Sequence, residues 1–287
     1  MTTLLESRWL PAAGLAVMLV TAVPARAEMT ATELAKLAQK PVANLISVPF
    51  QNNTNFNIGP QNKTQNILNI QSVIPIELNQ EWNLITRTIM LIISQPGLAL
   101  GQERVNGLGD IQLTGFLSPA VPEGGVIWGA GPIVQLPTHT DTALGHDRWG
   151  IGPSVVILHL EKGDPWVYGF LANNVWSVGG SSGSSAYNNF LLQPFLNYNF
   201  GGALYLTSSP IMTSNWKSDG WLVPVGGGIG KIFHLGKLPV NSQLSGYYNA
   251  VTPNNGRTFS CASRCSSCFR NNSFRTESET GASSSAA

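Results

Sequence analysis

Residues 66–78 read NILNIQSVIPIEL. Leu68, Ile70, Ile74, Ile76 and Leu78 share one parity, and Asn69, Gln71 and Glu77 share the other. Successive side chains of an extended chain point to opposite faces, so this stretch is a strand with one apolar and one polar side. The same alternation sets Phe190, Leu192, Leu196, Tyr198 and Phe200 against Asn189, Gln193, Asn197 and Asn199. Soluble sandwiches alternate in this way too, so the connections must decide.

Outward from these two stretches, the pattern predicts strands near 43–51, 65–78, 82–95, 108–120, 125–136, 148–160, 166–178, 188–200, 203–214, 221–235 and 238–251. Tight turns of Gly, Pro, Asn and Asp type close every second connection: Asn79-Gln80-Glu81, Pro122-Glu123-Gly124, Gly201-Gly202 and Gly236-Lys237 among them. The others, 52–64, 96–107, 137–147 and 179–187, are longer and polar. Short turns alternating with long loops is the plan of an outer-membrane barrel, whereas a sandwich has no reason to keep that order. Trp82, Trp149, Trp166 and Trp221 at strand starts, with Trp128, Trp176 and Trp216 near other ends, suit the two interfacial belts of such a barrel.

Composition agrees. Charged residues make up 11% of the chain, well below the roughly 25% of a soluble domain. No stretch after residue 28 is apolar for long enough to span a bilayer as a helix. A membrane chain without such helices must close into a barrel, because backbone groups in lipid need internal partners. The net charge of +1 gives no electrostatic reason to expect nucleic acid as a partner. Arg8, an apolar stretch over 10–24 and Ala25-Arg26-Ala27 read as a cleaved secretory signal over 1–27. A short periplasmic segment follows over 28–42, helical over TATELAKLAQ (30–39). The barrel itself is expected over 43–256, in the outer membrane, with the lipid bilayer and the outer-membrane assembly machinery as partners.

Three motifs narrow the reading. LPTHTDTALGHDRWGIGPS (136–154), GLGDIQLTGFLSP (107–119) and GYYNAVTPNNG (246–256) resemble a bacterial outer-membrane transporter family associated with the meta-pathway of phenol degradation. Members of that family are often labelled transporter, or neuromedin U. The resemblance marks Pro137, Thr138, Gly145, Trp149, Gly152 and Pro153 as its motif loop. It implies passive uptake or efflux of small, aromatic or apolar solutes, with no catalytic residues and no cofactor.

From the residues themselves, Glu77, Arg87 and Asp110 are the charges of interest, on consecutive strands. A lipid-facing charge at mid-depth costs about 2–4 kcal/mol, so all three are expected in the lumen, with Arg87 bridging the two acids. Asn69, Gln71, Gln112, Gln193 and Asn197 are expected to line the lumen beside them. His139, Asp141, His146 and Asp147 carry metal-ligand chemistry, but their loop fixes no geometry and no metal is expected. Two other classes of function compete. A lipid-modifying outer-membrane enzyme needs a nucleophile and base at one interface, for which only Ser154 and His159 offer themselves. A structural or adhesive barrel would use the Asn-rich stretch 51–62 as an outer loop.

The tail reads differently from everything before it. From Arg257 on there is no Val, Ile or Leu, serine abounds, and all three cysteines lie at Cys261, Cys265 and Cys268. Eleven strands is an odd count, and bacterial single-chain barrels have even ones. Back-translation of 256–272 from the third base of the Gly256 codon can give PDFQLRLQVQFLFPK and then a stop. The expected fold is therefore an all-β, antiparallel transmembrane barrel of about 12 intended strands, the last lost to a frameshifted, disordered tail over 257–287.

Overall fold

The computed structural model describes residues 45–270, apart from 162, 182, 219, 236–237 and 254–257. The expected signal (1–27), the periplasmic segment (28–42) and the end of the tail (271–287) lie outside the described residues. Along the described chain the two-residue alternation becomes a wall with an inside and an outside. In Arg148–Leu160, Gly150, Gly152, Ser154, Val156 and Leu158 are buried inward, while Ile151, Pro153 and Ile157 are exposed on the outer face.

Fourteen segments form the wall: β1 (Leu45–Ile58), β2 (Lys63–Glu77), β3 (Trp82–Gln95), β4 (Val105–Leu108), β5 (Ile111–Pro119), β6 (Val126–Leu136) and β7 (Arg148–Leu160), then β8 (Trp166–Gly180), β9 (Asn188–Asn199), β10 (Leu204–Ser208), β11 (Met212–Asn215), β12 (Gly220–Leu235), β13 (Leu238–Val251) and β14 (Phe259–Arg270). Both β4 and β5 pair with β3, and both β10 and β11 lie between β9 and β12. Each of these couples is one wall strand with a break, so the fourteen segments make twelve staves. All pairings are antiparallel, and β14 pairs with both β13 and β1 to close the barrel. Pro210 lies in the second break, where it has no N–H for a ladder. Asp110 lies in the first, where its side chain has other work.

Two expectations are corrected here. The twelfth strand is not missing: residues 259–270 fill it, from Phe56 opposite Phe259 to Leu45 opposite Arg270. Ser, Ala and Cys are small and uncharged, so the segment fits a wall position despite lacking Val, Ile and Leu. Closure also pairs backbone edges that would each cost several kcal/mol in lipid. The second correction concerns 52–64, expected as a long loop. Here β1 runs on to Ile58 and the turn is only 59–62, closed by the Asn62 amide donating to the Gly59 carbonyl at 3.2 Å. The asparagines look loop-like in sequence because they serve a polar interior. Buried Asn55 donates to Gln65 Oε1 at 2.7 Å and accepts from Ser260 Oγ at 2.8 Å, tying β14, β1 and β2 together.

The chain ends of the described barrel and the tight turns at 78–81, 120–125 and 161–165 share one end, the periplasmic end of such a fold. Aromatic residues ring both ends. Trp82 meets Trp128 edge-on at 5.9 Å, and Trp166 meets Tyr198 at 4.7 Å, near the tight turns. Trp149, Trp176 and Trp221 are exposed near the opposite rim. The belts expected from strand-end tryptophans are in place.

Candidate functional site

The interior has three levels. Near the outer rim is a chamber of about 850 Å³, walled by Gln112, Gln135, Asn173, Asn189, Leu222 and Thr252 among others. Further down the lumen narrows to a waist of about 80 Å³, lined by Arg87, Gln71, Gln193, Tyr205, Asn241 and Arg264 among others. Along β2 to β9, towards the periplasmic end, inward-facing Val73, Ile85, Phe116, Val156, Leu158, Leu171 and Phe195 pack into an apolar core. Small barrels fill their interiors with side chains in this way, which leaves the polar waist as the narrow part of the lumen.

The waist is held by side-chain hydrogen bonds. Arg87 Nη2 donates to Gln71 Oε1 at 3.0 Å, and Arg264 Nε donates to Gln51 Oε1 at 2.9 Å. Gln193 Nε2 donates to Ser209 Oγ at 2.8 Å. The buried Tyr205 hydroxyl donates to Asn241 Oδ1 at 2.8 Å. That ring occupies the space over Gly230, where a Cβ would lie 2.2 Å from it. The glycine run 226–230 therefore lets a large interior side chain approach the wall.

At the outer rim the motif loop 137–147 folds onto the break between β4 and β5. Asp110 is its anchor. One carboxylate oxygen of Asp110 meets His139 Nδ1 at 2.7 Å and accepts the His139 amide at 3.3 Å. The other oxygen accepts the His146 amide at 2.8 Å and Gln135 Nε2 at 3.1 Å. The second ring nitrogen of His139 meets Asp147 at 3.1 Å. Burial alone would lower the pKa of His139, but Asp110 and Asp147 outweigh it and hold the imidazole above its ordinary value. Nearby Tyr187 is pushed up to about 12, first by burial and then by the negative charge of Asp110.

The motif residues all serve this latch or the wall behind it. Thr138 Oγ1 accepts the Ile111 amide at 2.9 Å, just after Pro137 leaves β6. At Gly145 a Cβ would lie 2.6 Å from Asp110 Oδ1, so only glycine lets the loop seat. A Cβ at Gly152 would lie 1.7 Å from the Asn174 carbonyl oxygen. Pro153 faces Pro132 across the β6–β7 ladder, and Trp149 stands exposed at the outer rim.

Not every expected grouping forms. Arg87 faces the lumen but bridges no acids. Glu77 is exposed at the periplasmic end of β2, and Asp110 sits at the outer end of the wall. Arg87 pairs in register with Val73 and Thr114, each four residues from the acid on its strand. Four residues of strand span roughly 13 Å, beyond salt-bridge reach in either direction. Gln71, Gln193 and Asn197 line the waist. Gln112 lines the chamber, donating to Gln135 at 3.2 Å. Asn69 Oδ1 is buried without a hydrogen-bond partner among the described residues. His139, Asp141, His146 and Asp147 do not converge on one point: Asp141 caps the Ala143 amide at 2.9 Å, and the His146 ring packs on Tyr187 at 4.8 Å. Ser154 is buried inward, while His159 stacks on Tyr168 of the outer face at 5.1 Å, so the two share no interface.

No family model matches the sequence, and no curated protein matches it. Solved structures do match. The COG4313 outer membrane channel from Pseudomonas putida F1 superposes with a TM-score of 0.61 at 18% identity, covering 80% of this chain and 97% of the channel. The outer membrane phospholipase A from Escherichia coli reaches a TM-score of 0.45 at 11% identity, covering 84% of this chain and 98% of its own. A FadL homologue from Pseudomonas aeruginosa reaches 0.35 at 11% identity, over 79% of this chain and 89% of that one. The fold is that of an outer-membrane barrel.

For such a barrel the sequence misses two features of the interior. Tyr205, Arg264 and Gln243 belong to the waist. Tyr205 precedes a short strand break, and Arg264 lies in the tail read as foreign. The Asp110 latch is the other. Its partners come from a loop 29 residues away, and no spacing signal joins them.

Proposed function

We propose that the chain is an outer-membrane channel for the passive passage of small solutes. The observation that carries this reading is the outer chamber leading to a narrow polar waist inside a closed barrel. The similarity of fold to a known outer membrane channel supports it. In this reading the chain is exported through the signal at 1–27 and inserted by the outer-membrane assembly machinery. It then works in the bilayer without a cofactor. The resemblance to the family associated with phenol degradation favours small aromatic or apolar solutes. The mixed chamber lining, with Leu191 and Leu222 beside Gln112 and Asn189, suits molecules with both an apolar body and a polar group.

Neither competing reading gains an observation. A lipid-modifying enzyme would need its nucleophile and base together at one interface, and Ser154 and His159 point to opposite faces. An adhesive role rested on 51–62 as an outer loop, and most of that stretch is wall strand. Purified protein reconstituted in planar bilayers tests the proposal. Discrete conductance steps, with solute flux in swelling assays, are expected. A folded barrel that passes neither ions nor solutes would overturn it.

A further inference from the structure

Two guanidinium groups face the same narrow waist. Arg87 comes from β3 and Arg264 from β14, and they lie near enough to repel each other. Among the described residues, no carboxylate forms an ion pair with either; the ion pairs present all belong to His139 and His159. Each arginine instead gives hydrogen bonds to one glutamine, Arg87 to Gln71 and Arg264 to Gln51. Both glutamines present their amide oxygen, a neutral acceptor that leaves the charge uncompensated. The remaining N–H donors of both forks are left for the lumen. Around them stand Tyr205, Asn241, Gln243 and Ser209, all neutral.

Like charges drawn together in a low-dielectric wall repel, and desolvation adds to the cost. An anion between them removes both penalties. Guanidinium forks match the planar, two-oxygen face of a carboxylate or the oxygens of a phosphate. Rings of Arg or Lys also select for anions in pores. We infer that the waist is an anion-accepting site, in which Arg87 and Arg264 hold a carboxylate or phosphate-type group during passage. That group is either a free small anion or the charged head of an amphiphilic solute whose apolar body occupies the chamber. For its role in passage the inference rests on the channel reading; for binding it stands on the waist alone.

The full-length protein is measured in two ways. In planar bilayers under a KCl gradient, the reversal potential is expected to show preference for chloride. The R87Q and R264Q variants should move it towards potassium, and R87K, which keeps the charge, should not. In neutral detergent, calorimetric titration with benzoate is compared with titration by benzyl alcohol, a neutral molecule of similar size. Benzoate is expected to bind, and each Gln variant to weaken it by roughly tenfold, the loss expected for a charge-assisted hydrogen bond. Benzyl alcohol should be indifferent to the substitutions. Benzoate binding unchanged in the R87Q/R264Q double variant, no benzoate binding at all, or cation preference in the parent protein would each overturn the inference. Benzoate binding without conductance would overturn the channel reading and leave the site standing.

Discussion

Asp110 Oδ1 lies 2.7 Å from His139 Nδ1, and this pair fastens the motif loop to the wall. The Asp110 carboxylate also takes the His139 and His146 amides and the Gln135 side chain. One side chain in the gap between β4 and β5 thus organises the loop over 137–147. Asp110→Asn keeps the size but loses the charge and half of the acceptor capacity. Leaving buried donors unsatisfied costs about 1–3 kcal/mol. Hydrogen exchange across 137–147 should therefore rise by one to two orders of magnitude, roughly the equivalent of that loss. Exchange in β2 and β3 should not change. Protection of the loop equal to that of the parent protein would show that the carboxylate is not its anchor.

The same pair sets a pH dependence. The folded-state pKa of His139 is raised above the ordinary 6.5. Its contribution to loop stability is thus fully present below pH 6.5 and is lost as pH rises through the raised value. Exchange of 137–147, corrected for intrinsic rates, should accelerate on the alkaline side and be slowest in mild acid. His139→Gln should flatten that profile. A loop that loosens on acidification instead would reverse the sign and reject the assignment.

Gly145 is required by the same geometry. An alanine there would place its Cβ 2.6 Å from both Asp110 Oδ1 and the His139 Cβ. Overpacking of this kind costs about 1–3 kcal/mol. Gly145→Ala should lower the thermal stability of the loop in parallel with Asp110→Asn, and the two losses should be less than additive because they break one contact. Full additivity in a double-mutant cycle would separate the two sites.

Much of this barrel is legible in the chain because one rule, alternation, governs nearly every residue. The inward placement of Arg87 follows from it, since a charge on the outer face would be costly. What alternation does not give is depth. Glu77, Arg87 and Asp110 share an inner face, yet antiparallel strands carry them to the bottom, middle and top of the wall. Depth depends on the register that each turn imposes, and the four-residue turn at 59–62 hides inside an Asn-rich run. The latch is illegible for another reason: a carboxylate that leaves the ladder looks, in sequence, like any strand residue. The closing strand is illegible because its outer face lacks the large apolar residues that mark the others.

That outer face is open to repair. Ser263 and Cys265 are exposed on β14, where neighbouring strands present Leu244, Phe50 and Tyr248 to lipid. Leucine at each position would add apolar contact worth roughly 1.5–3 kcal/mol when fully buried. The S263L/C265L variant should unfold from liposomes at higher guanidinium concentration than the parent. Serine or alanine at 265 should not have this effect. A midpoint unchanged by the leucines would mean that β14 does not face lipid.

The facing of β14 also bears on the origin of the tail. Read from the third base of the Gly256 codon, residues 257–271 become PDFQLRLQVQFLFPK, followed by a stop. Placed on β14, that string puts phenylalanine, leucine, leucine and valine at positions 259, 261, 263 and 265. Positions 259, 263 and 265 are exposed in the structure. Glutamine, arginine, glutamine and glutamine fall at 260, 262, 264 and 266, the parity that holds Arg264 against Gln51 and buries Ser266. Polar side chains would then line the lumen and apolar ones meet lipid, the alternation of a membrane-barrel strand. The inner face would keep one arginine, moved from 264 to 262. We therefore expect the gene to carry a single-base insertion or deletion near codon 256. Restoring the frame should raise the yield of heat-modifiable, folded barrel in outer-membrane fractions several-fold. Resequencing is the direct check: an in-frame gene without such a change in related isolates would make the serine-rich strand the native one.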